Sequence, residues 1–243
     1  ASKNYRFVTV LTDPADYPKI IAMMKETGGK ISEETNFELA KKVFQLTARY
    51  DAAISNHLGK ISASGEVKND FPATFSFQFS KAQDLRYGEN PHQKAAFYKE
   101  NDPRISALSN ARQLQGKELS YNNIMDGDAA WQIVSDLALP GAVIIKHANP
   151  CGAATSNGDM AEAFKKALAG DPVSAFGGIV ALNRPVDAKA AAELVKTFFE
   201  VIIAPDFSAD AANILKTKEN VRVLEVPATC DIRFSGYDFR RVM

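Results

Sequence analysis

The chain has 243 residues, with 29 basic and 29 acidic side chains and a hydrophobic fraction of 46%. The balanced charge gives no electrostatic support to a general role in binding nucleic acids or membrane surfaces. The apolar content is that of a globular protein with a sizeable core, and no apolar run approaches the roughly 18 residues of a membrane-spanning helix.

Two cysteines occur, Cys151 and Cys230. This number excludes a disulfide framework and an all-thiolate zinc site, and it fits a reducing compartment, so we expect a cytoplasmic protein in which the two are not paired. The chain begins at Ala1 rather than at a Met and runs to Met243 without an obvious stop signal. We therefore expect it to be a piece of a longer protein.

The first 60 residues predict one short strand followed by two helices. The strand is FVTVL, residues 7–11. Asp13-Pro14 is typical of a helix start, and Gly28-Gly29 of its end. A longer helix is expected from Ser32 to about Gly59, with an apolar stripe at helical spacing made of Phe37, Ala40, Phe44, Tyr50 and Ile54.

A polar segment, residues 61–70, predicts a junction between two domains. After it, Phe75, Phe77 and Phe79 alternate with small polar residues, which is the period of a half-buried strand or hairpin arm. This alternation is more typical of a core than of a ligand-binding surface.

Beyond residue 100, strands and helices alternate. Helices are expected at 122–137, from the cap Asp159 to 169, at 188–198 and at 209–215, and strands at RQLQGK, AVIIKH, GGIVAL, VIIAP and VRVLEV. Nearly continuous apolar strands interleaved with helices predict an α/β fold, with helices on the faces of a sheet.

The familiar cofactor motifs are missing. No Gly-Lys pair has the context of a P-loop, and no GxGxxG follows a strand. The three histidines, His57, His92 and His147, lack metal-binding spacing, and the CxxC of zinc deaminases does not occur.

Two turns rich in polar groups or glycine are candidates for ligand binding. In DLRYGENPHQ, Arg86 and Tyr87 precede Asn90 and His92. The segment is either a surface turn or a site for an anion or a planar ring, because Arg forks onto phosphate and Tyr packs on heterocycles. In DPVSAFGGIVAL, Gly177-Gly178 is either a plain turn or a place where backbone N–H groups are free to meet a ligand.

A third candidate is VIIKHANPCG, in which a buried strand ends on Lys146 and His147 before a tight turn. Ligands of open α/β sheets bind outside the carboxyl ends of the strands. An adjacent ammonium disfavours the imidazolium form, so we expect a neutral His147 able to accept a proton. The alternative is a basic pair that caps a surface strand.

Five blocks, in this order, resemble one family: LRYGENPHQ, KELSYNNIMDGDAAW, KHANPCG, DPVSAFGGIVALNRPVD and EVIIAP. The family is the bifunctional purine-biosynthesis enzyme, of bacterial type, that joins phosphoribosylaminoimidazolecarboxamide (AICAR) formyltransferase to inosinate (IMP) cyclohydrolase. The resemblance covers essentially the whole chain.

The resemblance implies two α/β domains. Residues 1–65 would be the C-terminal part of a methylglyoxal-synthase-like IMP cyclohydrolase domain. Residues 66–243 would be the first half of the AICAR transformylase domain, with the α/β/α layers of cytidine deaminases and no zinc. Further parts of both domains would lie outside this chain.

The resemblance also implies roles for single residues. His147 would accept a proton in formyl transfer, Lys146 would stabilise the transition state beside it, and Lys3 would act as acid or base in ring closure. The expected AICAR-binding residues are Arg86, Tyr87, Gly177 and Glu200, the last being Asp in some members.

The implied activity is transfer of the formyl group of 10-formyltetrahydrofolate to the 5-amino group of AICAR. The product, FAICAR, would then be closed to IMP. A cytoplasmic homodimer without metal, nucleic-acid or membrane partners is implied. The alternatives are a non-catalytic nucleotide-binding or dimerisation module and a relative of zinc deaminases that has lost its metal.

Overall fold

The computed structural model describes residues 1–100 and 107–226. The chain divides into two compact units, Ala1–Gln78 and Phe79–Met243, and the expected domain boundary between residues 65 and 66 stays a prediction. Cys230 lies outside the described residues, and the absence of a disulfide stays a prediction. None of the helices in the described part has the length and apolar content needed to cross a membrane.

The first unit is built on two helices, and the sequence predicted both. A 3₁₀ turn, Pro14–Asp16, leads into α1, Tyr17–Thr27. The Asp13 carboxylate accepts the N–H of Ala15 at 2.9 Å, and α1 ends at Gly28 in the left-handed conformation, with φ of 66°. The longer helix α2, Glu33–Leu58, is capped by Ser32.

Two predicted strands of the first unit are wrong. Residues 7–11 form a turn and irregular chain, because the N–H groups of Phe7 and Val8 both turn back to the carbonyl of Asn4, at 3.0 and 3.1 Å. Residues 71–78 are not a strand either. The Asn56 side chain both accepts from the Ser76 N–H and donates to its carbonyl, at 3.0 and 2.8 Å, and so occupies the groups that a strand neighbour would use.

The apolar stripe predicted on α2 is mostly exposed in this structure. Of its five members only Ala40 is buried, while Phe37, Phe44, Tyr50 and Ile54 expose 39–66% of their surface. The buried positions of α2 are instead Asn36, Leu39 and Ala40. Helical periodicity therefore predicted the helix correctly but not which of its side chains are enclosed.

The second unit contains an antiparallel pair, β1 (Phe79–Leu85) and β2 (Ala95–Glu100), and a six-stranded mixed sheet. In the large sheet β6, β7 and β8 are parallel, whereas β4 is antiparallel to both β5 and β6, and β3 is antiparallel to β8. The order is β3-β8-β7-β6-β4-β5, and the strands are Arg112–Gln115, Gly141–Lys146, Asn149–Thr155, Ile179–Leu182, Val201–Ala204 and Arg222–Glu225 for β3 to β8.

Helices cover both faces of this sheet. On one face α3, Tyr121–Ser135, packs Trp131 and Val134 against strand residues such as Val143 and Ile145. Alternate residues of the same strand, Ala142 and Ile144, face a second core that contains α4 (Met160–Leu168), α6 (Ala188–Leu194) and α7 (Ala209–Leu215). The predicted α/β class is confirmed.

Four elements of the second unit differ from the sequence prediction. The helix expected at 188–198 ends at Leu194. The strand β2, the single-turn helix α5 (Pro172–Ala175) and the strand β5 were not predicted. The sequence of β5, NPCGAAT, contains Pro, Gly and small residues rather than the β-branched and aromatic residues typical of strands.

The strand β5 lies so close to α4 that only glycine fits at residue 152. A Cβ added to Gly152 would lie 1.9 Å from the carbonyl oxygen of Ala167, which is backbone and cannot swing away. A Cβ on Gly158 would instead meet the flexible Glu162 carboxylate, at 2.6 Å.

We expect Gly152→Ala to lower the free energy of unfolding by about 1–3 kcal/mol, because overpacking displaces backbone. Gly158→Ala, the matched control, should have the smaller effect because a side chain can move. Urea unfolding followed by circular dichroism compares the two variants. Equal stability of both would contradict the close packing of β5 on α4.

Candidate active site

A cavity of about 830 Å³ lies in the second unit, within the 300–1,000 Å³ range of small-molecule sites. Its lining includes six of the seven predicted site residues, which are Arg86, Tyr87, Lys146, His147, Gly177 and Glu200. The sequence separates the first and last of these widely, and the fold brings them to one surface.

The cavity lies at the end of the sheet where β4 finishes and where the parallel strands β6, β7 and β8 begin. Lys146 and His147 follow the carboxyl end of β4, but Gly177 and Glu200 precede β6 and β7, and Arg222 opens β8. This edge is the amino-terminal one for the three parallel strands, because β4 runs antiparallel to β6. The predicted position of Lys146 and His147 at the carboxyl end of their strand agrees with the structure, and the parallel strands contribute their amino ends.

A two-residue hairpin carries His147. Lys146 pairs with Asn149 across the turn, and the two central residues, His147 and Ala148, have φ of 53° and 58°. Positive φ at both positions is the mark of a type I′ turn, which strongly prefers Asn-Gly. Each non-glycine residue in this conformation costs roughly 1–2 kcal/mol, so the turn needs support from elsewhere.

That support comes from polar side chains on both sides of the turn. The carboxylate of Asp126, in α3, accepts the N–H of His147 at 3.0 Å and the N–H of Ala148 at 2.7 Å. The amide of Asn149 donates to the His147 carbonyl at 2.9 Å. Two backbone N–H groups and one carbonyl of the turn are thus hydrogen-bonded to side chains. His147 itself is exposed and lines the cavity.

Lys146 is held by a backbone carbonyl. Its Nζ donates to the carbonyl oxygen of Phe176 at 2.8 Å. An ammonium group has three donors, so two N–H groups are left over for a ligand. The contact also joins the end of β4 to the segment that leads into β6.

Of the two alternatives for the paired glycines, the one with free N–H groups is excluded. The N–H of Gly177 donates to the Phe198 carbonyl at 2.8 Å, and that of Gly178 to the Ala175 carbonyl at 3.0 Å. Gly177 has φ of 73°, which explains a glycine there although a Cβ would find space, whereas a Cβ on Gly178 would lie 2.8 Å from the Ile145 carbonyl oxygen. A backbone contact from Gly177 to a ligand would have to use its carbonyl.

Glu200 is oriented by a buried amide. The Nδ2 of Asn123 donates to Glu200 Oε2 at 2.7 Å, and Nη1 of Arg222 lies 3.9 Å from the same oxygen. The Oδ1 of Asn123 accepts the N–H of Ser120, which completes the capping box of α3. One side chain, 3% exposed, therefore caps a helix and positions a cavity carboxylate.

Arg86 and Tyr87 leave the end of β1 and enter the turn before β2. The guanidinium carbon of Arg86 is 5.8 Å from the centre of the Tyr87 ring, and within the described residues no carboxylate pairs with it. Gln93 closes the turn by accepting the N–H of Gly88 at 3.0 Å. Asn90 and His92 are exposed and do not line the cavity.

Lys3 is the one predicted site residue that lies in the first unit. It is exposed and lines a hollow of about 530 Å³ together with Tyr5, Phe37 and Phe44. Its predicted role in ring closure stays a prediction. In the part of the chain that the structure describes, no three His, Cys, Asp or Glu side chains group closely enough to hold a metal ion.

Comparison with protein families decides what the chain is. A family model described as the AICARFT/IMPCHase bienzyme matches residues 1–243. The chain belongs to this family. Its members are purine-biosynthesis enzymes with formyltransferase and cyclohydrolase activities, and the resemblance predicted from the five sequence blocks is confirmed.

Ten residues of the cavity lining were not predicted as site residues, and four of them are central to its charge and support: Lys117, Asn123, Asp126 and Arg222. Lys117, Asn123 and Asp126 belong to a block that carries the family resemblance, KELSYNNIMDGDAAW, so a signal existed. Nothing in that block says which of its polar side chains face the cavity. Arg222 lies in the predicted strand VRVLEV, outside the five blocks, and no motif distinguishes it from a surface charge.

We expect Asn123→Ala to lower the free energy of unfolding by about 1–3 kcal/mol, because a cap is lost and buried polar groups lose a partner. The control is Asn122→Ala, at the neighbouring exposed position of the same helix, which should change stability by less than about 0.5 kcal/mol. Urea unfolding of the two variants checks this, and an unchanged Asn123→Ala protein would contradict the role of this amide.

Proposed function

We propose that the second unit transfers the formyl group of 10-formyltetrahydrofolate to the 5-amino group of AICAR, giving FAICAR. The observation that carries this proposal is the single cavity lined by a histidine, an ammonium group and an Arg-Tyr pair. Family membership supports the class of reaction, and the cavity supports this particular step.

The acceptor amine requires a base. The lone pair of the 5-amino group is delocalised into the imidazole and the carboxamide, so the amine is a poor nucleophile until it loses a proton. His147, exposed at the end of a rigid hairpin, would take that proton as the nitrogen attacks the formyl carbon. Base catalysis by a positioned side chain contributes roughly two to four powers of ten in rate.

The formyl oxygen requires a positive partner. Negative charge collects on this oxygen as the tetrahedral intermediate forms, and Lys146 would stabilise it with N–H groups that Phe176 does not use. Preorganised donors of this kind contribute on the order of 3 kcal/mol. The intermediate then collapses, the N10 nitrogen of tetrahydrofolate leaves with its electron pair, and a proton returns to it.

The remaining cavity charges suit an anionic nucleotide. Arg86, Lys117 and Arg222 line the cavity, and cations in a cleft attract phosphate, which Arg can bind in a bidentate way. Tyr87 offers a ring against which a heterocycle could pack. Glu200 would accept hydrogen bonds from hydroxyl or amide donors of the same ligand.

For the first unit we propose a part in the second reaction, closure of FAICAR to IMP, with Lys3 as acid or base. We assign residues 1–65 to the cyclohydrolase domain and residues 66–243 to the first half of the transformylase domain. A cytoplasmic homodimer completes the proposal.

We expect His147→Ala to reduce kcat for formyl transfer by about 10²–10⁴-fold in the intact enzyme, because base catalysis is lost. AICAR affinity should change by less than about threefold, since the base acts mainly in the transition state. His57→Ala replaces an exposed histidine of the first unit and serves as the control. Formyl transfer is followed as tetrahydrofolate release, and a fully active His147→Ala enzyme would sink the base assignment.

We expect Arg86→Ala to raise KM for AICAR at least about tenfold with a smaller change in kcat, because a charged anchor contributes to binding in ground and transition states alike. Lys94→Ala, at an exposed position between β1 and β2, is the matched control. Isothermal titration with AICAR gives the binding term separately. Binding without turnover in the parent protein would favour the non-catalytic nucleotide-binding module instead.

A further inference from the structure

We infer that Asp126 is a positioning residue for His147: its carboxylate holds the left-handed His147-Ala148 turn in the conformation that presents the imidazole to the cavity. The inference rests on the proposed function, because it takes His147 as the base. It assigns a role to a cavity residue whose carboxylate accepts the two N–H groups of the turn.

Two successive backbone N–H groups converge on one carboxylate. The N–H of His147 points to Asp126 Oδ2 and the N–H of Ala148 to Oδ1, at 3.0 and 2.7 Å. Successive N–H groups in a turn form a concavity that binds anions. Hydrogen bonds to an ionised acceptor are roughly twice as strong as neutral ones, so this contact opposes relaxation of the turn.

The residues of the turn do not favour this conformation. Type I′ hairpins select Asn-Gly because both central residues need positive φ, and the chain has His and Ala there with φ of 53° and 58°. With His as the proposed base, the first central position cannot be Asn. With Ala rather than Gly at the second, that position also keeps the conformational cost of positive φ. Strain of this kind persists at functional sites only when surrounding contacts enforce it.

Asp126 is positioned to orient rather than to react. Both of its carboxylate oxygens already accept backbone N–H groups of the turn. Its negative charge therefore stabilises the turn. If the turn relaxed to negative φ, the Cα–Cβ bond of His147 would point in another direction and the ring would leave its place. A displacement of about 1 Å at a reacting group can cost on the order of 100-fold in rate.

The experiment compares four variants in the intact enzyme: Asp126→Asn, Ala148→Gly, the double variant and Asp128→Asn. Asn at 126 sets an NH₂ group against one of the two N–H donors. Gly at 148 adopts positive φ without strain, so it should reduce the need for the carboxylate. Asp128 is in the same helix and accepts from Gln132 at 2.7 Å; its pKa is raised by burial, so a neutral amide should be tolerated there.

We expect Asp126→Asn to lower kcat by about 10–100-fold with KM for AICAR changed less than about threefold. The double variant should regain at least about fivefold of that loss, while Ala148→Gly alone and Asp128→Asn stay within about twofold of the parent. Backbone amide exchange at His147 and Ala148, measured without ligand, should speed up at least about tenfold in Asp126→Asn.

Normal kcat in Asp126→Asn, or a loss that Ala148→Gly does not relieve, would overturn the inference. A raised KM with unchanged kcat would do so too, because Asp126 would then act on the ligand. If Asp126→Asn does not fold, a double variant that does fold supports the inference, because Gly at 148 then restores stability instead of kcat. If neither variant folds, the inference is overturned. If the parent enzyme showed no formyl transfer, only the proposed function would be contradicted. Amide exchange would still test whether Asp126 holds the His147-Ala148 turn.

Discussion

A left-handed backbone conformation at two adjacent residues determines where His147 meets the cavity. His147 and Ala148 close the β4–β5 hairpin with positive φ, although neither is a residue that favours it. The turn keeps this shape because α3 supplies a carboxylate to its N–H groups. Through Lys146 the same end of β4 is bound to the carbonyl of Phe176. Three separate segments are therefore fixed relative to one another at a single point.

The helix α3 acts as the common support of the site. Asn123 and Asp126 are three residues apart, which puts them on one side of a helix. Asn123 reaches Glu200 before β7, and Asp126 reaches the hairpin after β4. The apolar side of the same helix packs on the sheet through Trp131 and Val134. The core contacts that fix the helix consequently also fix two walls of the cavity.

Sequence patterns predicted the second unit better than the first. Apolar strands such as 201–205 and caps such as Asp159 are local signals, and the structure agrees with them. The strand predicted at residues 7–11 is wrong because a strand-like composition does not tell whether a second strand is available to pair with it. The strand β5 was not predicted because its close packing on α4 requires small residues, and small residues are typical of loops. Residue types and family blocks suggested the cavity residues, but Asn123 and Asp126 act through contacts that only tertiary structure reveals.

The cavity draws on parts of the chain from Gln83 to Arg222, and the sheet that supports it is completed when β3 pairs with β8, as Arg112 does with Glu225. Pairings over such sequence separations make for high contact order and slow folding. During synthesis, the chain must leave the ribosome as far as β8 before the last wall of the cavity can form. Ligand binding would thus report on completed folding, and at saturating concentration it would shift the folding equilibrium toward the finished enzyme.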